Sequence, residues 1–269
     1  MSQAAEPAIA RLIAQRHGRV LQLTLSNPAL RNAMTPDLYA HARTAFHDAA
    51  SDGGIGAIVL AGEGEHFCGG GNLNRLRAQR DLPRESQARH LDALHDWVSA
   101  MRACPKPVIA AVEGAAAGGG FSILLGCDLI VAAEDAKFVM SYAKIGLSPD
   151  GGGSDALAHA LAPQAALEIL LDGAAVSAAR LHALGVVNRI VARGKALEEA
   201  LAWATRLAQG PAAAQARIKQ LVYAARGRGH RAQLDAERDA FVESLYGDEC
   251  GEGIAAFLEK RAPRFVKPD

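Results

Sequence analysis

Two stretches of the chain are nearly bare of side chains, HFCGGGNL (66–73) and GAAAGGGFS (114–122). A phosphate-cradling loop ends in Lys followed by Ser or Thr. Gly114 and Gly119 have the separation of such a loop, but Gly120-Phe121 stands where its Lys-Ser/Thr would be. A dinucleotide fingerprint needs GxGxxG directly after a strand and an acid about 20 residues on. Neither stretch supplies it, and GGIGAIVLAG (53–62) puts its glycines ahead of the strand. A third chemistry fits. A carbonyl becomes an oxyanion when its neighbouring carbon loses a proton, and each main-chain N–H aimed at that oxygen is worth about 3 kcal/mol. Such donors must approach closely, which glycine permits. A helix opening at Gly118-Gly119 adds the positive end of its dipole. Tight packing of a helix on a strand asks for the same bareness, and spacing alone leaves both readings open.

An oxyanion hole needs a proton carrier beside it. SPDGGGS (148–154) holds Asp150 between a proline and a glycine, where residue type alone reads it as a turn residue and a ready N-cap for the helix that follows. Glu65 and His66 flank the first bare loop as reserve candidates. Cys68 within it reads as a small packing residue rather than a nucleophile, because no motif sets a histidine beside it. Glu113 and Asp128 fall at strand–helix junctions and read as structural. The nine histidines form no HExxH and the four cysteines no CxxC. Neither a metal site nor a disulfide framework is expected, and a reducing compartment is.

Periodicity supplies the elements that must carry these residues. AIARLIAQRHGRVLQLTLSNP (8–28) alternates on either side of His17-Gly18, as a β-hairpin does. Thr35-Pro36-Asp37 opens a helix running to about Ser51, with proline in its first turn. GAIVLAG (56–62), PVIAAVEG (107–114) and LIVAAED (129–135) read as short buried strands. Between them lie an arginine-rich stretch (74–103), with Leu91, Leu94 and Val98 at helical spacing, and the helix FSILLGCD (121–128). That alternation predicts an α/β core with parallel pairing. Beyond SPDGGGS the chain reads as helix-rich to its end, punctuated by Gly173, Gly185, Gly194 and Gly210-Pro211. The division expected is an α/β core over residues 1–190 and a helical region over 191–269.

Composition narrows the partners. Half of the 269 residues are hydrophobic, and 29 basic residues balance 29 acidic ones. No net field draws nucleic acid or an anionic membrane. The arginine clusters at 74–90 and 226–231 contain turn formers or acids and read as exposed surface. MSQAAEPAIARLIAQRHG (1–18) lacks the basic end and apolar core of a leader peptide. No uncharged apolar stretch reaches the roughly 18 residues that cross a bilayer. A cytoplasmic protein is expected.

RNAM (31–34), HFCGGGNL after the strand GAIVLAG, PKPVIAAVEGAAAGGG (105–120) and GIAAFLEKRAPRF (253–265) together resemble the crotonase superfamily of enoyl-CoA hydratases and isomerases. The resemblance runs from about residue 8 to the C-terminus. It implies a core of spiralling ββα repeats with a C-terminal helical trimerisation region, hence a homotrimer or a dimer of trimers. It implies an acyl-CoA thioester as substrate, with no separate cofactor and no metal. The N–H groups of Gly71 and Gly119 become the oxyanion donors. Cys68, Gly69, Gly70, Asn72, Leu73 and Gly118 then line the substrate, and Arg31 and Ala33 meet its nucleotide and pantetheine. Phe257 and Lys260 fall where an aromatic and a lysine complete the site, often in a neighbouring subunit.

The same resemblance exposes a departure. Family hydratases carry two glutamates where this chain has Ser122 and Tyr142. Ser122 is left to hydrogen-bond water and Tyr142 to line the acyl pocket, with plain packing as the alternative for both. FVMSYAKIGLSPDGGGS (138–154) is similar to the loop of 1,2-epoxyphenylacetyl-CoA isomerases of phenylacetate breakdown and of Δ3,Δ2-enoyl-CoA isomerases. In those, the acid of the turn moves the proton, and here that acid is Asp150. One carboxylate alternating as base and acid can carry a proton two carbons along while a dienolate waits in the hole. Val139, Met140, Ile145 and Leu147 are the expected apolar walls. An isomerase acting through Asp150 is therefore expected. A hydratase or ring-opening hydrolase using Asp150 and a water, or a non-catalytic acyl-CoA binder, are the alternatives.

Overall fold

The computed structural model describes residues 10–266. The N-terminal stretch read against a leader peptide is described only from residue 10, and the first two residues of the predicted hairpin lie outside the described residues. The strands are β1 (Arg11–His17), β2 (Val20–Ser26), β3 (Ala57–Gly62), β4 (Val108–Val112), β5 (Ala115–Ala117), β6 (Leu129–Ala133), β7 (Lys137–Val139), β8 (Ala175–Ser177) and β9 (Arg189–Val191). The helices are α1 (Pro36–Ser51), α2 (Leu73–Gln79), α3 (Arg84–Ala103), α4 (Gly119–Leu124), α5 (Gly153–Ala160) and α6 (Pro163–Asp172). They continue with α7 (Ala178–Ala183), α8 (Ala196–Ala208), α9 (Ala212–Ala225), α10 (His230–Leu245) and α11 (Asp248–Leu258).

Six strands form one sheet in the order β1-β2-β3-β4-β6-β9. The β1–β2 hairpin is antiparallel with His17 opposite Val20, and Gly18 supplies the positive φ of its two-residue turn. Every later pairing in this sheet is parallel. Such strands are covered on both faces, which is why β3 and β4 read as unbroken apolar runs. Leu60, Val108, Ala110 and Val112 join the cluster that contains Phe46 of α1 and Trp97 of α3. Val59, Ala61, Ile109 and Val131 face Ala196, Ala200, Ala204 and Ala208 of α8. Alanine at every fourth position lets α8 lie close, and a Cβ on Gly56 would stand 2.8 Å from the Ala208 Cα.

The arginine-rich stretch is two helices, because Pro83 interrupts it and caps the second. A smaller sheet, β5-β7-β8, stands beside the main one and carries the second bare loop. Its strands have three residues each, too short to alternate visibly, and β8 and β9 lie within the region read as helix-rich. Helix α9 returns to the core through Lys219, whose Nζ lies 2.8 Å from Asp128 Oδ2. Among the described residues no helix is long and apolar enough to cross a membrane.

Candidate active site

The first bare loop is held from beneath by two buried asparagines. Asn32, at φ 56°, donates through Nδ2 to the carbonyls of Glu63 (2.9 Å) and His66 (2.7 Å) and accepts the Asn27 N–H at Oδ1 (2.9 Å). Asn27 in turn donates to the Ala33 carbonyl. The loop then runs alongside β5: Phe67 N–H reaches Glu113 O, Cys68 N–H reaches Ala115 O, and Ala117 N–H returns to Cys68 O at 2.8 Å. Gly69 N–H is tied to Arg31 O and Met34 N–H to Gly70 O. The two bare loops are thus stitched into one ridge.

Different glycines answer the two readings of their bareness. Gly70 has φ 88°, and a Cβ there would lie 2.6 Å from Ala117 O and 3.1 Å from the Gly119 nitrogen. A Cβ on Gly120 would lie 2.5 Å from Cys68 O. These two are glycine because the loops touch. Gly71 is exposed, and a Cβ there would make only an ordinary contact with Leu76. Gly119 opens α4 behind Gly118, so its N–H has no acceptor within the helix. Among the described residues, neither the Gly71 nor the Gly119 N–H is taken up by a protein acceptor. Packing consumes two glycines and leaves two amides free.

The carboxylate arrives from the other side. Asp150 follows a short turn at Ala143–Ile145, and its Oδ1 lies 3.7 Å from where a Gly119 Cβ would stand. Tyr142 donates its hydroxyl to that same Oδ1 at 2.5 Å, and the Ser122 hydroxyl lies 3.2 Å from the Tyr142 oxygen. Burial and the neighbouring Asp150 push the Tyr142 phenol well above its usual range, so it stays protonated. Among the described residues, no cation forms an ion pair with Asp150. Tyr39 of α1, stacked on Trp97 with ring centroids 6.2 Å apart, is pushed up to about 12 by burial and then by Asp150. The amino-acid pattern marks Tyr39 only as one of the buried stripe Leu38, Tyr39, Ala42 and Phe46, and no local signal ties it to residue 150.

A groove of about 250 Å³ runs past the free Gly71 amide, lined among others by Arg31, Ala33, Gly69, Asn72 and Leu73. A neighbouring cleft of about 380 Å³ shares Arg31 but is walled by Glu63 and Glu65, a poor setting for a phosphate. Asn72 spends its side-chain oxygen capping α2, on the N–H groups of Asn74 and Arg75. Cys68, expected to line the substrate, turns inward instead. Its Sγ bonds Asn32 O at 3.2 Å, and burial pushes the thiol up to about 12, so it acts in packing. Phe257 lies in the last turn of α11, 83% exposed, and Lys260 just beyond its end, and neither lines the groove of its own chain. Met140 is buried in the core, whereas Ile145 and Leu147 are about half exposed. The reserve candidates are engaged elsewhere: His66 Nδ1 accepts the Ala115 N–H, and Glu65 pairs with Arg193. Glu113 caps α8 through the N–H groups of Gly194 and Ala196.

Free amides on two adjoining loops, with a carboxylate beside one of them, make a place where a carbonyl could be polarised and a proton moved. The sequence profile of the enoyl-CoA hydratase/isomerase family matches residues 15–268. The chain belongs to this family. As members of the enoyl-CoA hydratase/isomerase family, three relatives frame it. A crystal structure of an enoyl-CoA hydratase from Polaromonas sp. JS666 is 49% identical, superposes with a TM-score of 0.93 and covers 94% of this chain and 98% of its own. The 1,2-epoxyphenylacetyl-CoA isomerase of Escherichia coli is 33% identical over 92% of this chain and 95% of its own length. The 2,3-dehydroadipyl-CoA hydratase of the same organism is 34% identical over 94% and 98%. The crotonase fold and an acyl-CoA enzyme of the enoyl-CoA hydratase/isomerase family are thereby established.

Proposed function

We propose that the protein is an enoyl-CoA isomerase with Asp150 as its single acid–base group. The thioester oxygen of a 3-enoyl-CoA lies between the N–H groups of Gly71 and Gly119. Asp150 takes a proton from C2, the electron pair spreads over the dienolate toward the held oxygen, and the same carboxylic acid returns the proton to C4. The product is the 2-enoyl thioester, and the enzyme ends in its starting protonation state. Coenzyme A is part of the substrate, so no separate cofactor or metal enters. Arg31 and Ala33 meet the pantetheine and nucleotide along the groove. The acyl group is an alkenyl chain or a ring-derived acyl of the phenylacetate kind.

The observation that carries this reading is the placement of Asp150: its Oδ1 lies 3.7 Å from the Gly119 Cβ position and accepts from the Tyr142 hydroxyl, behind which stands Ser122. Hydration in one pass uses two groups, one to activate water and one to protonate carbon. A second reading, a hydratase working through Asp150 and a held water, draws support from the hydratases among the relatives. The C-terminal helices present Phe241, Tyr246 and Phe257 to solvent at 67%, 85% and 83% exposure, which supports assembly into a homotrimer in which Phe257 and Lys260 reach a neighbour's site.

The two readings separate on substrate. Incubated with 3-hexenoyl-CoA, the enzyme yields 2-hexenoyl-CoA, and crotonyl-CoA is hydrated far more slowly. Hydration of crotonyl-CoA outrunning the isomerisation would leave the hydratase reading standing instead.

A further inference from the structure

Ser122, Tyr142 and Asp150 form a string of hydrogen bonds, 3.2 Å and then 2.5 Å long, that runs from the protein interior to the carboxylate. Each inner member is fixed. Ser122 is 1% exposed, and a Cβ on Gly153 would stand 2.5 Å from its Oγ, so α5 closes over it. Tyr142 is 8% exposed, and its carbonyl accepts the N–H groups of Ile145 and Leu147, which anchors its backbone in the turn leading to Asp150. Burial and Asp150 both oppose ionisation of the phenol, so it holds its proton. It remains a donor.

An aspartate carboxyl turns almost freely about its last bond unless something holds it. Here a short, charge-assisted O–H···O⁻ bond occupies Oδ1. A base that serves two carbons of one substrate must present the same atom to both, and small errors in such placement cost rate rather than binding. We infer that Tyr142 is a positioning residue: it pins Oδ1 of Asp150, with Ser122 holding the phenol behind it, so that Oδ2 is the oxygen that exchanges a proton with the acyl chain. This rests on Asp150 being the acid–base group.

Tyr142→Phe keeps the ring and removes the donor. Steady-state kinetics on 3-hexenoyl-CoA should show kcat lowered by about 10- to 100-fold with KM within about twofold of wild type. Ser122→Ala, which leaves the Tyr142–Asp150 bond in place, should lower kcat by less, again at unchanged KM. Exchange of the C2 hydrogens of butyryl-CoA with deuterium oxide should slow in parallel with kcat. A purely structural role would instead lower Tm or raise KM and leave kcat per folded molecule intact, and that pattern would overturn the assignment. Asp150→Asn measured alongside separates the failures. If it is inactive while Tyr142→Phe keeps wild-type kcat, only the positioning role falls. If Asp150→Asn stays active, the acid–base reading falls and takes the positioning role with it. Should Tyr142→Phe fail to fold, Ser122→Ala decides: unchanged kcat and exchange rates in that variant contradict the string.

Discussion

Where β4 and β6 begin, Tyr223 donates its hydroxyl to Asp128 Oδ1 at 2.8 Å; beside the bare loops, Tyr142 donates to Asp150 Oδ1 at 2.5 Å. The two pairs share one hydrogen bond and differ in everything around it. Asp128 Oδ2 accepts the Val108 N–H at 2.7 Å and faces Lys219 Nζ at 2.8 Å, with side chains only 14% and 10% exposed. Lys219 also donates to the carbonyls of Met101 and Lys106. Burial pushes the Asp128 carboxyl up, and Lys219 pulls it back. Both oxygens of this acid are engaged, by three donors between them, so it ties α9 to the sheet. Asp150 has one oxygen bonded, no ion-paired cation among the described residues, and an uncommitted amide nearby. A saturated acid is a staple; a half-satisfied one beside free donors can do chemistry.

The largest effect should come from Asp150→Asn. Isomerisation falls by about 10²- to 10⁴-fold, the usual worth of a general acid–base group, while Tm and acyl-CoA binding stay close to wild type. Rate assays, calorimetry and a binding titration check this together. Lys219→Met should do the reverse: it strands Asp128 in the interior and costs about 3–5 kcal/mol of stability in denaturant unfolding, with kcat per folded molecule unchanged. If Asp150→Asn destabilised the fold and Lys219→Met stopped turnover, the contrast between staple and site would be broken.

Gly70→Ala tests the ridge that joins the loops. Its Cβ would meet Ala117 O at 2.6 Å, so the loops must part and the amide donors lose alignment. Activity should drop by about 10²- to 10³-fold, comparable to losing an oxyanion donor. The smallest effect concerns what the two tyrosines share. Both phenols are raised by burial first and by their aspartates second. An unfolded tyrosine ionises near pH 10 while the folded ones hold their protons, so their contribution to stability is complete below about pH 10 and is lost as pH rises through the folded pKa. Melting temperatures measured from pH 9 to 12 should fall, and Tyr142→Phe and Tyr223→Phe should each make that fall shallower.

Much of this was legible in the chain. The hairpin, α1 with its proline start, β3, β4 and β6 follow from alternation, apolar runs and turn residues spanning five residues or more. The three-residue strands β5, β7, β8 and β9 leave too few positions for a period to show. The two bare loops were recognisable by residue type and Asp150 by the family resemblance, but which glycines pack and which offer amides depends on distances across the ridge. Asn27 and Asn32 gave no signal as loop organisers, since buried amide bonds to carbonyls 31 and 34 residues away leave no pattern in sequence. Ser122 read as a partner for water, Tyr142 as a wall of the acyl pocket, and nothing in the chain tied either to Asp150. Their bonds, across 8 and 20 residues, turn them into a support for the carboxylate.

A crystal structure with a non-reacting saturated acyl-CoA bound would test the account most directly. The thioester oxygen should lie within hydrogen-bond distance of both the Gly71 and Gly119 nitrogens, with Asp150 Oδ2 over C2 and C4 and Oδ1 still held by Tyr142. A thioester oxygen bonded elsewhere, or an Asp150 carboxylate turned away from the acyl chain, would contradict it.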